Sequence, residues 1–426
     1  MRILLLSQWF DPEPGAIRGL PLASWLVRQG HDVEVITGFP NYPGGKVYDG
    51  YKIQFCQRET MDGIPVIRVP LYPSHSRSSL GRLVNYISFA MAAAFIGVFK
   101  AQAADIAFVI GPPPTLGLPA FFLKYLRGIP FIYHISDMWP ESAVESGMLG
   151  SGRKKQIFEW ILTKWCNLVH KRAAKITVLA DAPKQVMIER GVPEKKLEVV
   201  YNWADEKTFK PMPKEPELAK KLGIDLNHFN LIYAGNFGVF QNLEIAVRAA
   251  HSVQKTCPNL RLVLIGTGTE EQALKNITTE LGATNVKFIG RQSYQDMPAI
   301  SALSDAMLIH LSDVPLLRWT VPSKTQIALA MGIPMLMAAV SDTARIVRKA
   351  QAGVVCAPDD IISMAQAMTE IYSASPETLS NYGQNALNFY HREMSLEHGG
   401  TTMLELFKMV LAENASMTRN EKTKAF

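Results

Sequence analysis

Apolar and β-branched residues come in short bursts along this chain, and each burst ends in a cluster of Gly, Pro, Asn or Asp. Short apolar runs without alternation are the mark of strands buried on both faces of a parallel sheet. Arg2–Leu6 is the first, followed by a helical pattern over Ala16–Gln29, the turn Gly30-His31-Asp32 and a second strand, Val33–Ile36. Further strands are predicted at Ile106–Ile110, Phe131–Ile135, Lys175–Leu179 and Leu197–Val200. The stretch from Lys210 to Pro216 is dense in Pro and charge and has the composition of an interdomain linker. The pattern then starts again, with strands at Leu231–Gly235, Leu260–Ile265, Val286–Ile289, Ala306–Ile309 and Met335–Ala338. A helix from Ser323 to Met331 is closed by Gly332-Ile333-Pro334, and Ser395–Ala412 reads as a terminal helix with an apolar face of Met403, Leu404, Leu406, Phe407 and Val410. Strand alternating with helix predicts an α/β protein with doubly wound parallel sheets.

One apolar segment stands apart. Leu83–Phe99 is helical in pattern and carries no polar side chain from Phe89 onward. It falls short of the ~20 apolar residues a bilayer span needs. Arg68, His75, Arg77 and Arg82 precede it. Basic residues leading into a short apolar helix read as insertion into one leaflet of an anionic membrane, and a buried core helix is the other reading. Ile157, Ile161, Trp165 and Leu168 recur at helical spacing among Arg153, Lys154, Lys155, Lys164, Lys171 and Arg172. They read as a packed helix with a solvated charged face.

At 426 residues the chain is too long for one core and suits two domains. A net charge of +6 suits anionic ligands or an anionic membrane surface and does not diagnose nucleic acid. Cys56, Cys166, Cys257 and Cys356 are far apart, as expected of reduced cytosolic thiols rather than a disulfide frame or a zinc site. The run Ile3–Leu6 stops at Ser7-Gln8 and reads as a first strand, not a secretion signal.

The candidate chemistry lies at strand ends. Leu231 to Gly238 is a strand running into a glycine turn before a helix, where backbone N–H groups and the helix dipole favour a diphosphate. Gly266-Thr267-Gly268 is a second glycine corner, and Arg291 follows a third strand at Gly290. In the first half, Gly15 and Arg18 follow the first strand, and Asn41 and Tyr42 lie in a Pro-, Gly- and Tyr-rich loop of the kind that carries function. Asp137 and Glu141 lie just past Phe131–Ile135, at the carboxyl ends where open α/β sheets bind ligands. His134, inside that strand, points either to the crevice or to the core. Asp359-Asp360 reads as a helix N-cap and first-turn acid. No D-x-D stands at a strand end, and no dinucleotide fingerprint follows the first strand.

The order of these motifs carries a resemblance. Gly-Asn-x-Gly, Ile-Gly-x-Gly, Phe-Ile-Gly and a Pro-Ser-Lys helix ending in Gly-x-Pro resemble the GT-B glycosyltransferases of family 4. Asp-Met-Trp-Pro-Glu-Ser and Asn-Tyr-Pro-x-Gly are similar to the bacterial O-antigen, capsule and colanic-acid branch, the WbuB-like or WcaI-like proteins. The resemblance implies two Rossmann-like domains facing across a cleft. An acceptor and membrane-facing domain would span 1–205, a nucleotide-sugar domain 206–395, and a helix crossing back with a polar tail 396–426. It implies retaining transfer of a sugar, possibly an N-acetylated amino or deoxy sugar, from a nucleotide-sugar, with UDP the expected nucleotide. The acceptor would be a polyprenyl-diphosphate-linked glycan on the cytoplasmic face of the membrane, served by a peripheral or monotopic enzyme, with no metal, cofactor or nucleic acid.

Carried onto this sequence, donor binding falls to Gly15, Gly235, Asn236, Gly238, Gln241, Gly266, Gly268, Arg291, Ser323 and Lys324, and the acceptor side to Arg18, Asn41 and Tyr42. Asp137 is the expected acceptor base, with His134 and Glu141 as alternatives. The chain departs from the family pattern at four places. Asn236 and Gln241 stand where an Arg and a Lys are usual, and Trp319 and Ile327 stand where two Glu are usual, so Lys324 is expected to supply the missing positive charge. Two other classes stay open: a GT-B sugar-nucleotide epimerase, which needs no lipid acceptor, and a non-catalytic partner subunit, which the missing Glu pair favours.

Overall fold

A computed structural model describes residues 1–14, 17–74, 79–145 and 152–424, except the side chains of residues 145, 154, 316 and 417–424. Gly15, His75 and Arg77 lie outside the described residues. The chain divides into two units, Met1–Asn202 with Leu396–Phe426, and Trp203–Ser395.

The first unit is built on eight strands: β1 (Arg2–Ser7), β2 (Asp32–Gly38), β3 (Gln57–Met61), β4 (Ile64–Val69), β5 (Ile106–Ile110), β6 (Phe131–Ile135), β7 (Lys175–Val178) and β8 (Leu197–Val199). Their order is β3-β4-β2-β1-β5-β6-β7-β8. All neighbours are parallel except β3 and β4, and Ile3 of β1 sits opposite both Val33 and Ile106. β5 and β6 are buried throughout, as apolar runs covered on both faces must be. The hairpin β3–β4 went unforeseen because β3 is polar and half-exposed. Its turn, Asp62-Gly63, has both residues at positive φ, the geometry whose twist matches a two-residue hairpin.

Ser79–Lys100 forms one helix with a wider turn at Ala93–Gly97, and it is long and apolar enough to cross a membrane. This corrects the expectation that the segment is too short, because the helix starts a turn before Leu83. Its two faces answer the two readings separately. Phe89, Ala90, Ala93, Ala94 and Val98 are buried, and a Cβ on Gly97 would come within 2.7 Å of Ile36. Leu80, Val84, Ile87, Met91, Phe95 and Phe99, at helical spacing, are exposed. Arg68 is a further correction, since it does not belong to a basic approach. It is fully buried, bonded to Glu59 at 2.5 Å and to the carbonyls of Gly38 at 2.9 Å and Asp11 at 2.6 Å.

The helix Gly152–Arg172 also departs from expectation. Trp165 packs, donating to the Pro114 carbonyl at 2.8 Å, but Ile157, Ile161 and Leu168 are exposed together with Phe158 and Trp160. The terminal helix Leu396–Lys424 outruns its predicted end and belongs to the first unit. Phe407 meets Phe108 at 6.1 Å between ring centroids, and Trp25 donates to Glu397 at 2.7 Å.

The second unit is a parallel sheet of six strands: β9 (Phe229–Asn236), β10 (Leu260–Thr267), β11 (Val286–Ile289), β12 (Ala306–His310), β13 (Met335–Ala338) and β14 (Gly353–Cys356). The order is β11-β10-β9-β12-β13-β14. The helix Ser323–Met331 ends at Gly332, whose left-handed φ of 67° lets its N–H reach back to the carbonyls of Ala328 and Leu329.

Candidate active site

A pocket of about 540 Å³ opens at the carboxyl ends of β9 and β10 in the second unit. Gly235, Asn236, Gly266, Gly268, Arg291, Ser323 and Lys324 all line it, so much of the predicted donor set converges. The convergence comes from register. β9 and β10 pair to their last residues, placing Gly235 opposite Gly266 and Asn236 opposite Thr267. A Cβ on Gly266 would lie 1.9 Å from the Gly235 oxygen, which only glycine avoids. Gly235, at φ +148°, makes room for a side chain instead, since its Cβ would sit 2.7 Å from both Cε and Nζ of Lys324.

Lys324 opens the helix Ser323–Met331. Its Nζ stands 3.6 Å from the centroid of the Tyr233 ring, within cation–π range. Among the described residues no carboxylate pairs with it. Desolvation therefore pushes its amine down to about 7. Tyr233 is anchored by its hydroxyl, which donates to the Asn236 carbonyl at 2.7 Å. Arg291 is exposed at the mouth.

Gly238 and Gln241 do not line this pocket. A Cβ on Gly238 would meet the side chains of Asn236 and Gln241 at 2.6 and 2.8 Å. The Gln241 carbonyl is instead bonded to Nδ1 of buried His310 at 2.6 Å. Gly238 precedes and Gln241 ends a short turn, Val239–Gln241, that separates β9 from the helix Leu243–Ser252. The sequence reading missed Phe209, Thr267, Gln292 and Tyr294 as site residues, and all four line the pocket, as does Ile327. Phe209 and Tyr294 form an edge-to-face pair at 5.6 Å. Ile327 occupies a place where the family pattern carries Glu, so the pocket has an apolar wall there. Of the pair Asp359-Asp360, Asp360 is the N-cap, accepting from the N–H groups of Ile362 and Ser363, while Asp359 precedes the helix and accepts from Asn242 and the Asp313 N–H, so the first turn carries no acid.

In the first unit, Asp137 follows β6 in an exposed stretch of chain, yet desolvation lifts its carboxyl above the usual range. No described residue donates a hydrogen bond to it. A row of rings runs beside it: Trp9 with Tyr42 at 5.6 Å, Trp9 with Tyr86 at 6.2 Å, and Tyr86 with Trp139 at 6.4 Å. The charges of Asp137 and Arg82 both reach the Tyr86 hydroxyl. Glu13 holds the Tyr42 loop. Its buried carboxylate accepts from the N–H groups of Asn41 at 2.7 Å, Tyr42 at 2.8 Å and Phe10 at 3.2 Å.

The other first-unit candidates take different places. His134 is fully buried, its Nδ1 2.8 Å from Thr177 Oγ1, and burial drives its pKa far down, so it is a neutral core residue. Glu141 is paired with Arg190, which also donates to the Trp139 carbonyl at 3.0 Å. Asn41 is fully buried and donates to the Phe39 carbonyl at 2.9 Å. Arg18 is buried against the end of β8, donating to the Val200 carbonyl at 2.5 Å, the Tyr201 carbonyl at 3.1 Å and Asn202 Oδ1 at 3.0 Å. Burial pushes its guanidinium down to about 9. Of the acceptor-side set, Tyr42 remains exposed. Among the described residues, no group of three or more His, Cys, Asp or Glu is arranged to hold a metal ion.

Residues 17–203 match a family profile described as a glycosyl transferase 4-like domain, and residues 214–389 match one described as glycosyl transferases group 1. The chain belongs to the GT-B glycosyltransferases of family 4. It is 27% identical over 315 residues to WcaI of Escherichia coli, a glycosyl transferase named for colanic acid biosynthesis, covering 72% of this chain and 76% of that one. It is 25% identical to the glycosyltransferase WbjE of Pseudomonas aeruginosa over 70% of this chain and 74% of the relative. Alr3699/HepE of Anabaena, solved with UDP, has the same fold at a TM-score of 0.67 and 18% identity, covering 96% of this chain and 100% of that one. WaaG, a glycosyltransferase involved in lipopolysaccharide biosynthesis, matches at a TM-score of 0.62 and 17% identity over 95% and 99%. As a family 4 glycosyltransferase the chain is an enzyme, and the readings as an epimerase or a non-catalytic subunit are dropped.

Proposed function

We propose that this chain moves a sugar from a UDP-linked donor to a polyprenyl-diphosphate-linked glycan, with retention, in bacterial surface polysaccharide biosynthesis. Lys324 carries the donor half of the reading. An amine held over Tyr233, in a glycine-walled pocket with no described carboxylate beside it, lacks an anion. A diphosphate supplies one. As the glycosidic bond to the nucleotide breaks, negative charge grows on the departing phosphate. The ammonium, the N-terminus of helix Ser323–Met331 and the backbone N–H groups near Gly235 are aimed where that charge develops. Arg291 at the mouth adds a second cation. Neutralisation by these groups assigns no role to a metal, so activity is expected to survive EDTA. The relatives support the pathway: WcaI is named for colanic acid, and HepE was solved with UDP.

On the acceptor side, Asp137 deprotonates or positions the acceptor hydroxyl, because a carboxylate of raised pKa is better matched to that proton than an ordinary one. Phe95, Phe99, Ile157 and Trp160 are exposed apolar side chains on two helices that also carry the exposed basic Lys100, Lys164, Lys171 and Arg172, and this combination suits an anionic membrane surface. This supports reading the enzyme as a peripheral or monotopic protein of the cytoplasmic face. The test is a panel of nucleotide-sugars offered with a lipid-diphosphate-sugar acceptor. UDP release coupled to acceptor extension is the expected result. Donor hydrolysis without transfer, or preference for a different nucleotide, overturns the reading.

A further inference from the structure

A groove of about 360 Å³ runs along the first unit between the helices Ser79–Lys100 and Gly152–Arg172. Leu83, Ile87 and Met91 line it from the first helix and Phe158 and Ile161 from the second. Tyr86 and Trp139 line it too, and these are the rings that continue to Tyr42 and stand beside Asp137.

Resting on the lipid-linked acceptor proposed above, we infer that this groove seats the isoprenoid tail of the acceptor, with Arg82 meeting its diphosphate. The helix Ser79–Lys100 sets the order. Arg82 and Tyr86 are one turn apart on one face, and Ala90 and Met91, which also line the groove, follow a turn later. Over roughly 13 Å the helix passes from Arg82, just before the groove-lining Leu83 and acting with Asp137 on the groove-lining Tyr86, to the apolar Ala90 and Met91. That is the order of a lipid-linked glycan: sugar, diphosphate, chain. Ile87 is 46% exposed and Phe158 51% exposed, so the groove leaves large apolar side chains facing water, which marks an interaction surface.

Neither other occupant explains the polar end. A bilayer surface meets convex rows such as Phe95 and Phe99, not a concave groove that ends beside Asp137. A second copy of the chain has no use for a guanidinium and a carboxylate that both act on the groove-lining Tyr86.

The test compares two acceptors with the same sugar diphosphate, one on a short prenyl tail and one on a long tail. The wild-type KM is expected to be at least about tenfold lower for the long tail, since each added isoprene unit buries further methyl and methylene groups. In the double variant Ile87→Ser, Phe158→Ser, this ratio collapses toward one. Both side chains are exposed, so the variant is expected to fold, and its melting curve checks this. A prenyl diphosphate with a photoreactive tail gives an independent readout and is expected to label peptides of 83–91 and 158–165. A wild type that uses both tails equally, or labelling elsewhere, overturns the groove assignment and leaves the lipid-linked acceptor standing. Transfer to neither acceptor, with no labelling of the groove, overturns both. An unchanged tail ratio together with lost binding to plain anionic vesicles gives the face to the membrane, and together with a lost dimer gives it to a second copy. Either result overturns the assignment.

Discussion

Lys324 holds its Nζ 3.6 Å from the centre of the Tyr233 ring, in space that exists only because residue 235 has no side chain. The relationship names the residues to change. Lys324→Met keeps the volume and removes the charge, and UDP affinity by calorimetry is expected to fall at least about tenfold, the worth of a charge-assisted contact. Gly235→Ala should act through the same amine, because its Cβ would displace Lys324 as well as strain a backbone at φ +148°. Gly238→Ala would press on the side chains of Asn236, which lines the pocket, and Gln241, which does not, while leaving Lys324 in place, and is expected to cost less affinity than Gly235→Ala. Equal losses in the two glycine variants would contradict this account.

The depressed amine gives binding a pH dependence of definite sign. In the free enzyme the ammonium loses its proton as pH rises through about 7, and a bound diphosphate restores it. Affinity should be highest below pH 7 and decline above it, with proton uptake on binding at pH 8. Calorimetry in buffers of different ionisation heat measures the uptake, and Lys324→Met should abolish it. The same shift works on stability. The unfolded chain holds this proton up to the ordinary lysine range, so the ligand-free second unit gains stability as pH rises from about 7 toward that range.

Asp137→Asn is expected to lower turnover ~10²-fold or more while leaving UDP affinity unchanged. Because desolvation raises the carboxyl, the acid limb of kcat/KM should fall above the ~3.9 of an ordinary aspartate. A pH–rate profile of the wild type locates that limb. Full activity in the Asn variant would remove Asp137 from the chemistry.

Glu141→Gln breaks the pair with Arg190 that steadies the Trp139 carbonyl. The pair is part-exposed, so the loss should be only about 1 kcal/mol of stability in denaturant titrations. Turnover should fall far less than in Asp137→Asn, which separates a holding role from a chemical one.

The apolar helix divides cleanly by residue. Phe89 is 0% exposed, whereas Phe95 is 55% and Phe99 58% exposed. Phe89→Ser should destabilise the first unit by ~3–5 kcal/mol, as large core truncations do. Phe95→Ser with Phe99→Ser should leave the melting temperature near that of the wild type and lower co-sedimentation with anionic liposomes at low salt. A wild type that stays in the supernatant would leave the membrane reading without support.

Strand and glycine patterns determined a great deal on their own. Apolar bursts closed by glycine corners specified two parallel-sheet units, because a strand covered on both faces has no use for polar residues. The predicted pocket set of Gly235, Asn236, Gly266, Gly268, Arg291, Ser323 and Lys324 was legible for the same reason: close backbone approach demands glycine, and a helix start with a lysine suits an anion. What the sequence could not specify depended on which way side chains face and what they meet. Only the pairing of β9 with β10 shows that Gly235 serves Lys324 while Gly238 serves the turn. Only burial separates His134, a neutral core imidazole, from Asp137 three residues on, since a strand alternates its faces and a loop does not. Arg18, Glu141 and Arg68 looked free as letters, but their partners come from distant segments, and Asn41 is buried where its loop folds back on itself. The two faces of the helix Ser79–Lys100 were beyond composition as well, because an unbroken apolar run has no polar side to mark which half meets the sheet.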